Sequence, residues 1–207
     1  MSQPKTWFTT QRLATVAVLA AIAAVLFLIE IPLVAFYKLD FSNLPVLLGT
    51  FAMGPLAGTL ILLLKALLGL LHSSSLGVGE LADFLMGLAM LLPAGLIYRA
   101  GHSRKSALLG MLAGTVCATV AGMLANLFLL IPFYGAAYGM PVEAIVGMGQ
   151  AVLPFVDTVG KFVLCITGPF NLLKFGLISL VAFLVYKPLS PLLHGSLAHR
   201  PGAGRKL

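Results

Sequence analysis

Between Leu13 and Ile29 the chain runs LATVAVLAAIAAVLFLI, with Thr15 as its one polar residue. A helix crosses the hydrocarbon core of a bilayer with about 20 mostly apolar residues, and this run, with comparable ones behind it, fits that environment. Only 9% of the 207 residues are charged and 60% are hydrophobic, whereas roughly a quarter of a typical soluble chain is charged. Too few charges remain to cover a water-facing surface. The reading is an all-α integral membrane protein of six transmembrane helices, with no room for a soluble catalytic domain. A secretory signal would need a cleavage site after the apolar run, and none stands out, so residues 13–29 read as a retained first span.

Proline and glycine punctuate the rest. The first segment, from about Arg12 to Glu30, stops at Ile31-Pro32. The second, Leu44 to Met53, is too short to cross upright, and Gly54-Pro55 divides it from the third, which runs to about His72. The fourth spans about Glu80 to Tyr98 and the fifth about Ala107 to Ile131. Residues 132–168 read as the longest connection, with an amphipathic stretch from Gly149 to Ile166 lying at the interface. The last span is expected from near Pro169 to about Tyr186. Residues 1–194 thus form one six-helix membrane domain, and 195–207 a basic, disordered cytoplasmic tail. No internal repeat is visible, which argues against an inverted-repeat carrier.

The net charge of +7 does not indicate nucleic acid, because no basic surface interleaved with aromatics is formed. Lysine and arginine instead write a topology. Lys5, Arg12, Arg99, Arg104, Lys105, Lys187, Arg200, Arg205 and Lys206 fall on one side and only Lys38 and Lys161 on the other. The positive-inside rule places both termini in the cytoplasm, and the loops at 31–43, 72–79 and 132–168 outside.

Polar groups at membrane depth are costly, about 2.5–3.5 kcal/mol for a charge at a helix centre, and so need a partner or a task. In PFNLLK (169–174), Asn171 and Lys174 share a helix face. Asn126 lies in the fifth span, and Glu80 and Asp83 share a face at the start of the fourth. Lys174 suits either a pocket or an ion pair with Glu80 or Asp83, and Asn126 either a pocket or interhelical glue. Asp83 reads as structural, favoured by the helix macrodipole. Glu30 and Lys65 read as interface or packing residues, and Asp157 with Lys161 as a solvated pair. Phe36, Tyr37, Phe133, Tyr134 and Tyr138 fall on the outer side, where they form either an aromatic belt or a surface for a flat heteroaromatic ligand. Cys117 and Cys165 match no metal or redox spacing and read as packing residues. No phosphate loop, metalloprotease or nucleophile-elbow motif is present, so the chain is read as no enzyme, with no metal and no cofactor. In the first span, Ala17/Ala21 and Ala20/Ala24 form overlapping small-xxx-small pairs, a spacing that lets a second helix approach closely.

The strings KLDFSNLPVLLGTFAMGPLAG (38–58), LLLKALLGLLH, GELADFLMG (79–87) and PAGLIY (93–98) resemble the S components of energy-coupling factor (ECF) vitamin transporters. ANLFLLIPFY, with Asn126, and PFNLLKFGLISLVAFLVYKPLSPLLH (169–194) are most similar to the riboflavin-specific branch. The resemblance spans about residues 10–194. It implies a six-helix S-component fold in the cell membrane that captures extracellular riboflavin as a transported ligand. It also implies partnership with a transmembrane T component and two ATPase subunits, and toppling in the membrane to release substrate. By the same resemblance Asn126, Asn171 and Lys174 line the vitamin pocket, Glu80 and the loop Leu39-Asp40-Phe41-Ser42 lie beside it, and Ala17, Ala20, Ala21 and Ala24 face the T component.

The chemistry is compatible. An asparagine amide offers a donor and an acceptor to the acceptor–donor–acceptor edge of an isoalloxazine, and a lysine donates to carbonyls or ribityl hydroxyls. An S component for pyridoxine or pantothenate is the nearest alternative. An intramembrane enzyme using Glu80, Asp83 and Lys174 lacks a nucleophile or metal set, and a channel calls for a ring of like residues.

Overall fold

The computed structural model describes residues 9–34, 37–73 and 75–195, with Val34 and residues 186–195 described by backbone alone. Lys5, Phe36, Ser74 and the tail from 196 onward lie outside the described residues.

Helix α1 (Thr10–Leu28) starts where the Thr9 hydroxyl accepts the Arg12 N–H, satisfying one of the free donors of a first turn. Strands β1 (Ile31–Val34) and β2 (Tyr37–Leu39) form an antiparallel hairpin that pairs Ile31 with Leu39. Helix α2 (Asn43–Met53) ends at Gly54, whose φ of +98° only glycine adopts without strain, and Pro55 opens α3 (Pro55–Gly69). A 3₁₀ turn (Leu70–His72) follows. Helix α4 (Val78–Gly101) leads through a Ser103–Ser106 capping box into α5 (Arg104–Ala125). A π-turn (Asn126–Leu130) joins α5 to α6 (Ile131–Tyr138). Then come α7 (Val142–Gln150), α8 (Val159–Phe162), a second π-turn (Val163–Thr167) and α9 (Gly168–Gly195).

Among the described residues, five helical stretches are long and apolar enough to cross a membrane: Thr10–Leu28, Pro55–His72, Val78–Gly101, Arg104–Tyr138 and Val159–Val185. Helix α2, with 11 residues, reaches about 16 Å against a hydrocarbon core of about 30 Å. It is nonetheless the most enclosed helix, with Val46, Leu47 and Phe51 buried. One core joins Leu47 and Phe51 to Met90, Met111 and Phe175, and another joins Val46 to Val16, Ile61 and Leu91. Helices α4 and α5 approach closely because Gly110 and Gly114 lack a Cβ, which would sit 2.6 Å and 2.5 Å from the Ala94 and Met90 carbonyl oxygens. Large apolar residues such as Val18, Val25, Leu96, Leu109, Val116 and Leu184 point outward, while Lys65 and Asp83 are buried. That inverted distribution is what a hydrocarbon solvent selects.

Five expectations are corrected. The last span begins at Val159 rather than Pro169, and the fifth continues to Tyr138, so the connection expected over 132–168 shrinks to 139–158. In both cases a π-turn precedes the proline: Ile131 N–H bonds to the Asn126 carbonyl and Gly168 N–H to that of Val163. The wider turn opens the register around the ring of Pro132 or Pro169, which would otherwise clash inside an α-helix. The amphipathic stretch 149–166 is accordingly no interfacial segment throughout, since Phe162, Val163 and Ile166 are buried. The outer loop after α1 carries a hairpin. Finally, Cys117 is exposed on α5 and Cys165 is half-buried, so the first is not a residue of the chain's own core.

Candidate functional site

At the end of the bundle away from the N-terminus of α1 lies a cavity of about 430 Å³. Hairpin residues Tyr37 and Lys38 and the adjoining Asp40 cover one side. Ser75, Glu80, Asp83 and Met86 line it from the α4 side, and Asn126, Leu130, Tyr134 and Tyr138 from the α5–α6 stretch. Phe170, Asn171 and Lys174 come from α9. A smaller cavity of about 290 Å³ at the opposite end is bordered by Arg12, Tyr98, Arg99 and His102.

Of the residues expected at the site, Asn126, Asn171, Lys174, Glu80 and Asp40 face the cavity. Leu39, Phe41 and Ser42 do not border it. Leu39 is buried in the hairpin, Phe41 packs on the α2–α4–α5–α9 core, and Ser42 is turned into a buried polar network. Strand and helix geometry explains the split, because successive residues of the Leu39–Ser42 stretch point in different directions.

Asn126 opens the first π-turn. Its Oδ1 accepts the Tyr37 hydroxyl at 2.8 Å and its Nδ2 donates to the Gly122 carbonyl at 3.1 Å. Tyr37 also shares a hydrogen bond of 2.5 Å with Thr167, the last residue of the second π-turn. The hairpin is thereby fastened to both π-turns through one phenol. The Tyr37 ring stacks on Phe170, with centroids 4.8 Å apart, and burial pushes its hydroxyl above the ordinary tyrosine range. Asn171 is 2% exposed and its Nδ2 has no hydrogen-bond partner. A buried amide N–H left in that state costs about 1–3 kcal/mol, so a residue of the cavity wall holds a donor without an acceptor. Gly122 makes room for that amide: a Cβ there would lie 2.4 Å from Asn171 Nδ2 and 2.8 Å from Met86 Sδ.

Charges are paired around this wall. Lys174 Nζ lies 2.7 Å from Asp40 Oδ2 and 3.6 Å from Asp83 Oδ1, so its principal partner is Asp40 rather than Glu80 or Asp83. Burial works to raise the Asp40 carboxyl, but the charges of Lys174 and Lys65 and hydrogen bonds from Lys174 and Ser42 outweigh it and hold it at about 2. Glu80 accepts the hydroxyls of Ser73 and Ser75 at 2.9 Å and 3.0 Å. Glu30 and Lys38 pair at 2.5 Å at the rim, and Asp157 and Lys161 form the exposed pair their spacing suggests. No cluster of metal-ligating side chains occurs among the described residues.

Tyr37, Tyr134 and Tyr138 border the cavity, whereas Phe133 stands behind the last two. Phe27, Phe170 and Thr167 belong to the site or its frame and went unread in the sequence. Each sits in an apolar run, and no local pattern in the sequence marks Thr167 as a partner of Tyr37. On α1, Ala17 and Ala21 are exposed and Ala24 is half-buried. Ala20 is 2% exposed within the chain's own core, so it is unavailable to a partner, because three residues turn the helix by about 300° rather than a full circle.

The model for the family "ECF transporter, substrate-specific component" matches residues 11–186. The chain belongs to that family. Curated relatives point the same way. The riboflavin transporter RibU of Staphylococcus aureus (strain TCH60) is 36% identical over 186 residues, covering 87% of this chain and 90% of that protein. RibU of Streptococcus thermophilus is 32% identical over 192 residues, covering 89% and 85%. The riboflavin transporter FmnP of Bacillus subtilis is 28% identical over 187 residues, covering 87% and 93%. Among solved structures, "Structure and mechanism of the S component of a bacterial ECF transporter" matches with a TM-score of 0.68 at 36% identity, covering 88% of this chain and 97% of that one. As a substrate-specific component the chain is a transporter subunit in a membrane, not an enzyme.

Proposed function

We propose that the chain captures riboflavin from outside the cell and presents it for uptake, as the S component of an ECF transporter of the cell membrane. The observation that carries the reading is the convergence of Asn126, Asn171 and Lys174 on one cavity, with Asn171 Nδ2 buried and unpartnered. An acceptor such as a flavin ring carbonyl satisfies that donor. Phe170, Tyr37 and Tyr134 offer rings for a flat heterocycle, and Glu80 with its serines suits a polyol chain. Relatives named as riboflavin transporters cover most of the chain.

In this reading α2 completes six membrane helices as a short, enclosed one. Both termini are cytoplasmic, which turns the cavity outward and the Arg12–Arg99–His102 end inward. The chain carries no nucleotide-binding loop, so energy comes from two ATPase subunits coupled through a T component.

The test is optical. Protein purified in detergent from riboflavin-producing cells is expected to be yellow, with quenched flavin emission and about one flavin per chain. Colourless protein that also fails to quench added riboflavin overturns the substrate assignment.

A further inference from the structure

In the cavity wall and behind it, four charged side chains of both signs and one hydroxyl close a ring. Lys174 meets Asp40 at 2.7 Å and Asp83 at 3.6 Å; Asp83 Oδ2 meets Lys65 at 2.5 Å; Lys65 donates to Ser42 Oγ at 3.0 Å; and Ser42 donates to Asp40 Oδ1. Asn43 braces it, accepting from Lys65 at 3.0 Å and donating to Asp83 at 3.2 Å. All four charges are buried, Lys65 at 1% exposure. The ring is electrically neutral and spans α2, α3, α4, α9 and the end of the hairpin.

The two lysines have different donor accounts. An ammonium carries three N–H donors. Lys65 spends all three, on Ser42, Asn43 and Asp83, and does not border the cavity. Lys174 borders it and faces only two acceptors, Asp40 and the more distant Asp83, which leaves a donor for a ligand. We propose that Lys65 is a positioning residue of the substrate site: by holding Asp83, it keeps Lys174 paired to Asp40 with one N–H free toward the ligand. Without Lys65, the Asp83 carboxylate would be left in a low-dielectric interior with Lys174 as its remaining cation. The ammonium would then be drawn from Asp40 toward Asp83, since an unpaired buried charge is far costlier than a shifted one. The inference rests on the substrate reading above for its ligand, but not for its geometry.

Two readouts separate the two claims. Riboflavin titration of Lys65→Met is expected to give affinity reduced by about tenfold or more. In ligand-free protein labelled with ¹⁵N-lysine, the Lys174 ammonium signal, assigned with Lys174→Met, is expected to shift in Lys65→Met. It is expected to return toward its wild-type position in Lys65→Met/Asp83→Asn, where the competing carboxylate is gone. A general loss of packing would not be reversed by the second substitution. Wild-type affinity with an unmoved Lys174 signal in Lys65→Met overturns the proposal, and so does a shift that persists in the double variant. If Lys65→Met does not fold, Asp83→Asn read beside the double variant decides: a Lys174 signal that is the same in both supports the role, because Lys65 acts through Asp83, and one that differs between them refutes it. If wild-type protein binds no riboflavin, the substrate reading falls and the ammonium signal still judges the ring.

Discussion

Asn171 concentrates the chemistry of the cavity in one atom. Its Nδ2 is buried beside Gly122 with no acceptor, so a bound carbonyl gains a hydrogen bond without displacing a protein partner. Asn171→Ala should therefore weaken riboflavin binding by about 1–3 kcal/mol, read by fluorescence quenching; unchanged affinity would remove Asn171 from the pocket. Asp40 makes a different prediction, in pH. Its carboxyl is lowered from 3.8 to about 2 in the folded chain. A depressed carboxylate contributes stability that is fully present above the unfolded value and is lost as pH falls through the folded one. The gap in melting temperature between wild type and Asp40→Asn in detergent should thus stay constant above 3.8 and close only between there and about 2. A gap already closing near about pH 6 would mean that Lys174 is not its partner. Of these residues Asn126, Asn171 and Lys174 were legible because polar groups in apolar runs are conspicuous. Lys65 was not. Its partners Ser42, Asn43 and Asp83 lie 23, 22 and 18 residues away, and no local pattern links them.

At the scale of elements, the apolar runs announced the helices, and Gly54-Pro55 announced the break between α2 and α3. What the sequence concealed was continuity. Pro132 and Pro169 read as boundaries because proline ends helices in most settings, yet a π-turn ahead of each lets the helix pass. Those turns place Asn126 and Thr167 where one tyrosine hydroxyl meets both, so the irregularity that misled the reading also builds the site. The hairpin was hidden for another reason: strands of four and three residues are too short for alternation to show. Close approach of α5 to α9 depends in turn on Gly122. Gly122→Ala would place a methyl 2.4 Å from Asn171 Nδ2. The expected result is a flavin affinity lowered by about tenfold or more with a smaller change in melting temperature. Affinity equal to wild type would show that the amide moves aside without consequence.

For the molecule as a whole, an S component must hold its vitamin at one surface and its energy-coupling partner at another. The cavity lies within α4, α5–α6, α9 and the hairpin, with α1 contributing Phe27 near its end, while the middle of α1 is largely exposed. Ala17 and Ala21 lie on that outer face and Ala20 on the inner one. Leucine substitutions at the adjacent positions Ala20 and Ala21 therefore separate the surfaces. Ala21→Leu adds volume where lipid or a partner helix meets the chain. It should leave riboflavin titration and melting temperature unchanged while reducing co-purification with a T component and its ATPases, because small residues are what permit close helix packing in lipid. Ala20→Leu adds the same volume inside a packed core and should destabilise the chain itself by about 1–3 kcal/mol. Equal loss of riboflavin binding in both variants would mean that the faces are not independent. Intact assembly in Ala21→Leu would move the partner surface off this stretch of α1.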